Sequence, residues 1–235
     1  MAESRAKAQA YIAAGLVYSH EVKLDKAGQL VAADIPLTLR QSEHPWVSRG
    51  GMKLAEGLQH FGLSPEGRIC VDIGASTGGF TDVLLHQGAA RVYAVDVGYG
   101  QLDWRLRNHP QVVVMEKVNA RYLDSSLLPE APEVIVCDAS FISLKTVLPA
   151  ALSLAAANAF LIVLIKPQFE VGKGNLSKGG VVRDPALHTM VCEDIHQWLS
   201  QQGWKVAGIT PSPIQGPKGN IEFLIAATRG DRGGQ

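Results

Sequence analysis

VDIGASTGGFTDVLL, residues 71–85, runs from an apolar stretch through a glycine-rich turn into a helical pattern. Apolar runs at 69–73, 92–95, 112–115, 134–137 and 160–165 alternate with helical stretches such as 80–86 and 144–157. Strands alternating with helices predict βαβ units, hence a parallel sheet covered on both faces. Near the C-terminus Asp184-Pro185 is a strong helix start, with the helix expected to reach Gln201. Trp204–Thr210 and Ile221–Ala227 then read as an antiparallel pair at the sheet end. The fold class expected is α/β: a Rossmann-like, mostly parallel sheet with an antiparallel last strand, carrying a small αβ module in front.

That module covers residues 1–40. Ser4 is positioned to cap a helix ended by Gly15, and short strands are expected at Leu16–Tyr18 and between Leu30 and Leu39. Residues 41–47, QSEHPWV, read as a linker, a helix is expected over 49–61, the main domain as 48–228, and 229–235 as a disordered tail.

Composition narrows the function. The 235 residues are 46% hydrophobic and 19% charged, which excludes wholesale disorder and a coiled-coil rod. Lys+Arg and Asp+Glu are both 22, so a general basic coat for nucleic acid is absent and any such surface must be a local patch. Cys70, Cys137 and Cys192 form no disulfide framework and no metal-type cluster, so no metal is expected and a reducing cytoplasm is the simplest home. The most apolar stretch, residues 150–165, is shorter than the ~20 residues a membrane span needs. It reads as a helix followed by a buried strand.

Ligands of open α/β sheets bind at the carboxyl ends of strands, near a switch point. Gly74, Gly78 and Gly79 supply close backbone approach in the turn after the first strand. The dinucleotide pattern G-x-G-x-x-G fails because Ser76 stands at its second glycine, which disfavours a nicotinamide dehydrogenase. Asp72 begins D-x-G-x-S-x-G, which resembles the first motif of S-adenosylmethionine-dependent methyltransferases, and Phe80 follows it. Asp96, about twenty residues on, suits ribose hydroxyls because a carboxylate only accepts hydrogen bonds. Asn119 could meet the adenine edge, and Asp138 ends the fourth strand.

Four further residues fall where a sheet enzyme places its chemistry: Lys53, Asp138, Lys166 and Glu222. Their order resembles the Lys-Asp-Lys-Glu tetrad of FtsJ-like 2′-O-ribose methyltransferases. SRGGMKL, DIGASTGGFTD, AVDVGYGQL, CDASFISL, IKPQFEVGK and PIQGPKGNIEF together resemble the TlyA, or hemolysin A-like, family over residues 1–228. That resemblance implies methylation of cytidine 2′-hydroxyls in ribosomal RNA, with S-adenosylmethionine as cofactor and ribosomal RNA or a ribosomal subunit as partner. It implies an S4-like RNA-binding module at 1–40, here N-terminally shortened, which favours the large-subunit RNA. A non-catalytic ribosome-binding protein and a membrane-active hemolysin are the alternatives.

In this reading Lys166 meets the 2′-hydroxyl as base or charge stabiliser. A free lysine titrates near 10.4; a sulfonium and Lys53 would lower that value, and Asp138 and Glu222 would raise it. Ser140, Phe141 and Ser143 could line the target nucleoside, with Phe141 equally readable as core. Arg5, Lys7, Lys23, Lys26 and Arg49 are candidate RNA contacts, as are Lys173, Lys178 and Arg183 in the glycine-rich loop 169–185.

Overall fold

The computed structural model describes residues 5–13, 15–24, 26–39, 44–172, 174, 176 and 179–229. Helix α1 (Arg5–Ala13) precedes a three-stranded sheet of β1 (Val17–Ser19), β2 (Val22–Lys23) and β3 (Thr38–Leu39), in the order β2-β1-β3. β1 and β2 form a hairpin, with Tyr18 opposite Lys23. The expected strand from Leu30 shrinks to Thr38–Leu39, because Leu30 is 98% exposed and has no face to bury. Ser4, part of the linker (41–43) and the tail from 230 lie outside the described residues.

The larger unit begins with α2 (Gly50–Phe61), followed by β4 (Ile69–Ile73), α3 (Gly79–His86), β5 (Arg91–Asp96), α4 (Trp104–Arg107), β6 (Val112–Glu116) and β7 (Val134–Cys137). Helices α5 (Leu144–Val147) and α6 (Pro149–Leu154) lead to β8 (Phe160–Ile165) and α7 (Pro167–Glu170). Helix α8 (Pro185–Gln201), β9 (Trp204–Pro211) and β10 (Phe223–Arg229) complete it. The single helix expected at 144–157 is two, since Pro149 lacks the N–H that would continue α5 and instead opens α6. Asp184 caps α8 as expected, its Oδ1 accepting from Ala186 N at 2.9 Å.

The seven strands lie in the order β6-β5-β4-β7-β8-β10-β9. β4 to β8 are parallel, and β10 runs antiparallel between β8 and β9. Strand side chains alternate between two cores, as the two-residue period requires. Val71, Ile73, Ile135, Cys137, Leu161 and Val163 face α5, α6 and α8, while Cys70, Val134, Val136, Ile162, Leu164 and Leu224 face α2 and α3. Helix α2 lies close on the second face: a Cβ at Gly57 would sit 3.1 Å from Ile162 Cγ2.

The strand order reverses at β4, with β5 and β6 added on one side and β7 and β8 on the other, so the crevice at its carboxyl end is the switch point of the sheet. The antiparallel β10 begins at that same rim, with Phe223 opposite Ile165. Glu222, just before β10, and Lys166, just after β8, are thereby placed side by side.

Candidate active site at the carboxyl rim of the sheet

The four residues of the expected tetrad come from four elements and meet. Lys53 lies in the second turn of α2, one turn before Gly57, on the face that packs against the sheet. Its Nζ donates to Glu222 Oε2 at 2.8 Å and lies 3.4 Å from Asp138 Oδ2. Lys166 Nζ donates to the Asp138 carbonyl and to Ser140 Oγ, both at 3.0 Å, and forms an ion pair with Asp138 Oδ1 at 2.6 Å. That last contact lacks hydrogen-bond alignment, so Oδ1 keeps acceptor capacity. Two acceptors thus take two of the ammonium's three donors, and the Asp138 carboxylate pairs with it by charge. Lys53, Lys166 and Glu222 are buried, with Glu222 only 1% exposed, while the Asp138 side chain keeps 20% of its surface.

Groups that charged survive burial only when paired. Here Asp138 bridges both lysines and Glu222 neutralises Lys53. The cluster can therefore hold two ammonium groups at one rim, with Asp138 as its accessible member.

The glycine turn lies beside it. Gly74 has φ of 81°, and a Cβ there would sit 2.9 Å from Ala139 Cα, so only glycine allows β4 to end directly against the segment carrying Asp138. Gly78, at φ 97°, caps α3, and Gly79 opens it. Ser76 donates its N–H to Asp96 Oδ2 at 2.8 Å, and Gly98 N–H donates to Oδ1 at 2.7 Å. Asp96 is half-buried and forms no ion pair among the described residues. Asn119 Oδ1 accepts from Arg121 N at 3.1 Å, leaving its amide N–H groups for another partner.

Two expected ligand contacts need correction. The Phe80 ring is 3% exposed within the α2–α3 core, so only its backbone faces the turn. The Asp72 side chain is fully enclosed beneath the turn, where Oδ2 accepts from Thr81 Oγ1 at 2.7 Å. It supports the turn and does not reach a ligand. Burial pushes its carboxyl up to about 7, against the lowering effect of the Thr81 bond.

Phe141, which the sequence left open between core and site, is 90% exposed at φ 66°, its ring 5.1 Å from that of Phe169. A bulky residue held in the left-handed region and in water is strained. It follows Ser140, a partner of Lys166, so it stands at the mouth of the site. Ser143 instead caps α5 and donates to Glu170 Oε2 at 2.6 Å.

The candidate RNA contacts are spread out. Arg49 is exposed immediately before α2, one turn from Lys53, and Arg183 is exposed before α8. Arg5, Lys23 and Lys26 are exposed on the small module. Lys173, Lys178 and the Lys7 side chain lie outside the described residues. The end of the glycine-rich loop is anchored: Asn220 Oδ1 accepts from Val182 N at 3.1 Å, and Lys218 Nζ donates to the Gly179 carbonyl at 2.9 Å. The end of the predicted linker is also docked, Val47 N–H donating to Asp82 Oδ2 at 2.8 Å and the Trp46 ring meeting His86 edge-on.

The sequence did not single out Gln168 or Glu170. Gln168 Nε2 donates to Glu222 Oε1 at 3.2 Å, and Glu170 receives both Ser143 Oγ and Leu144 N. Their signal was their place in the IKPQFE segment beside Lys166.

The sequence profile of the FtsJ-like methyltransferases matches residues 46–229. The 16S/23S rRNA (cytidine-2′-O)-methyltransferase TlyA of Mycobacterium tuberculosis is 47% identical over 99% of this chain and 87% of its own. Hemolysin A of Brachyspira hyodysenteriae is 44% identical over 94% of this chain and 92% of its own. A solved structure described as a hemolysin from Streptococcus thermophilus superimposes with a TM-score of 0.81 and 41% identity, covering 97% of this chain and 84% of that one. With the Lys-Asp-Lys-Glu cluster at the switch point of the sheet, these matches show that the chain belongs to the FtsJ-like methyltransferase family, in the group of TlyA and hemolysin A.

Proposed function

We propose that this protein transfers the methyl group of S-adenosylmethionine to cytidine ribose 2′-hydroxyls of ribosomal RNA in the cytoplasm, with large-subunit RNA, free or in the particle, as the favoured substrate. The observation that carries the reading is the paired cluster Lys53–Asp138–Lys166–Glu222 beside the glycine turn.

The residues fit the cofactor. Asp96 has spent one acceptor position per oxygen on backbone N–H groups, so about half of a carboxylate's four lone-pair positions remain for two vicinal ribose hydroxyls. The backbone at Gly74, Ser76, Gly78, Gly79 and Phe80 would hold the remainder of the cofactor, with Asn119 at the adenine edge. When bound, S-adenosylmethionine supplies a methyl group on a positively charged sulfur. Lys166 orients the 2′-oxygen and stabilises the negative charge that grows there as its proton passes to solvent. Asp138 holds Lys166 through both its carbonyl and its carboxylate, Lys53 holds Asp138 in turn, and Glu222 holds Lys53. Phe141 offers a flat apolar face on which the target base can stack.

Incubation with labelled S-adenosylmethionine and ribosomal particles, followed by mapping of the methylated nucleotide, tests the proposal. Lys166→Ala is expected to lower transfer by about 100-fold or more while cofactor binding survives. Equal transfer by wild type and variant would instead favour a binding protein that has kept the fold. No helix among the described residues is long and apolar enough to cross a membrane, and the membrane-lytic alternative rests on the names of relatives.

A further inference from the structure

Glu222 is enclosed by more than its lysine. Lys53 Nζ holds Oε2 at 2.8 Å and Gln168 Nε2 holds Oε1 at 3.2 Å. A Cβ at position 216 would sit 2.1 Å from Oε1, so Gly216 is the residue that leaves the carboxylate room. Each oxygen of this buried carboxylate thus has one side-chain donor. The Gln168 amide must face it nitrogen first, since its oxygen would repel the carboxylate.

The contacts then close a circuit. Asp138 touches both lysines, Lys53 touches Glu222, Glu222 touches Gln168, and Gln168 lies two residues after Lys166 in the same short turn. Without Gln168 the tetrad is an open chain ending at Glu222. With it, the placement of Lys53 is tied to the backbone that carries Lys166. Gln168 is 7% exposed and its Oε1 has no partner. An apolar side chain of similar volume would avoid that unmade hydrogen bond, so the bond to Glu222 is what the amide contributes.

We propose that Gln168 is a positioning residue of the methyl-transfer site, fixing Glu222, and through it Lys53, against the segment that bears Lys166. The inference rests on the methyltransferase reading above.

Two variants test it, with single-turnover methyl transfer and cofactor affinity measured across pH. Gln168→Met keeps the volume and removes the donor. It is expected to lower the transfer rate about tenfold at every pH, the lower end of the range for losing one positioned group, with cofactor affinity unchanged. Gln168→Glu can donate to Glu222 only while protonated, and two carboxyls at this distance share a proton. Its rate relative to wild type is therefore expected to rise about tenfold as pH falls from about 8.5 to about 6. A purely packing role would leave that ratio flat, and a flat ratio, or a wild-type rate in Gln168→Met, overturns the inference. If Gln168→Met fails to fold, the pH course of Gln168→Glu decides alone. A wild-type chain that transfers no methyl group overturns the functional reading, and the role of Gln168 with it.

Discussion

Asp72 lies at the centre of the sheet with no exposed surface, one oxygen bonded to Thr81 and the other without a donor. Burial disfavours its charged form and raises its carboxyl from 3.8 to about 7. The folded chain therefore binds a proton there that the unfolded chain has already released above about pH 4. Stability should fall as pH rises from about 4 to about 7, then level off, with a full penalty of up to about 4 kcal/mol. Asp72→Asn removes the ionisation and keeps an acceptor for Thr81. Urea denaturation at pH 5 and pH 8 should show the variant gaining on wild type at the higher pH; an unchanged difference would refute the buried-acid account. The sequence showed that an acid stands before the glycine turn. It could not show which way the side chain points, so Asp72 and Phe80 read as ligand contacts although both face inward. Phe141 shows the opposite case: the sequence left it open between core and site, and only its positive φ and exposure set it outside the core.

At the scale of elements, the strands were legible because a parallel strand buried on both faces leaves a nearly continuous apolar run; Ile69–Ile73, broken only by Asp72, Val134–Cys137 and Phe160–Ile165 were bounded by sequence alone. The turns that follow them were not, because their geometry is set by contacts between distant segments. Glu170 is an example. Its carboxylate accepts from Ser143 Oγ at 2.6 Å and Leu144 N at 2.8 Å, clasping the segment after β8 to the segment after β7. Those segments carry Lys166 and Asp138. Burial raises the Glu170 carboxyl, and its two hydrogen bonds oppose the rise. Glu170→Ala leaves the Leu144 N–H without its acceptor, which costs about 1–3 kcal/mol, or a Tm lower by roughly 2–12 °C for a chain of this size. Methyl transfer should fall as well, because both loops loosen. Glu170→Gln, which keeps an acceptor for Leu144 N, should recover most of the melting temperature. If calorimetry shows Glu170→Ala melting with wild type, the clasp is not a stabilising contact.

At the scale of the whole molecule, one topological feature assembles the cluster. Because β10 runs antiparallel, its first residue meets the last residue of β8, and Glu222 reaches a rim otherwise built from strand ends. The same view governs how RNA is engaged. With 22 basic and 22 acidic residues, the chain has no net attraction for a polyanion, so affinity must come from local clusters of cations. Arg5, Lys23 and Lys26 are exposed on the small module, away in sequence from the rim that carries the Lys-Asp-Lys-Glu cluster. Replacing all three by Gln should weaken binding to ribosomal RNA most at low salt. If each meets a phosphate, the slope of log affinity against log salt should become shallower by about 2–3. Cofactor affinity and the transfer rate at saturating RNA should remain, since none of the three belongs to the rim cluster. Filter binding over a salt series separates the cases: an unchanged slope would make these charges a solvated face, and would leave Arg49 and Arg183, at the rim and before α8, to carry the phosphate contacts.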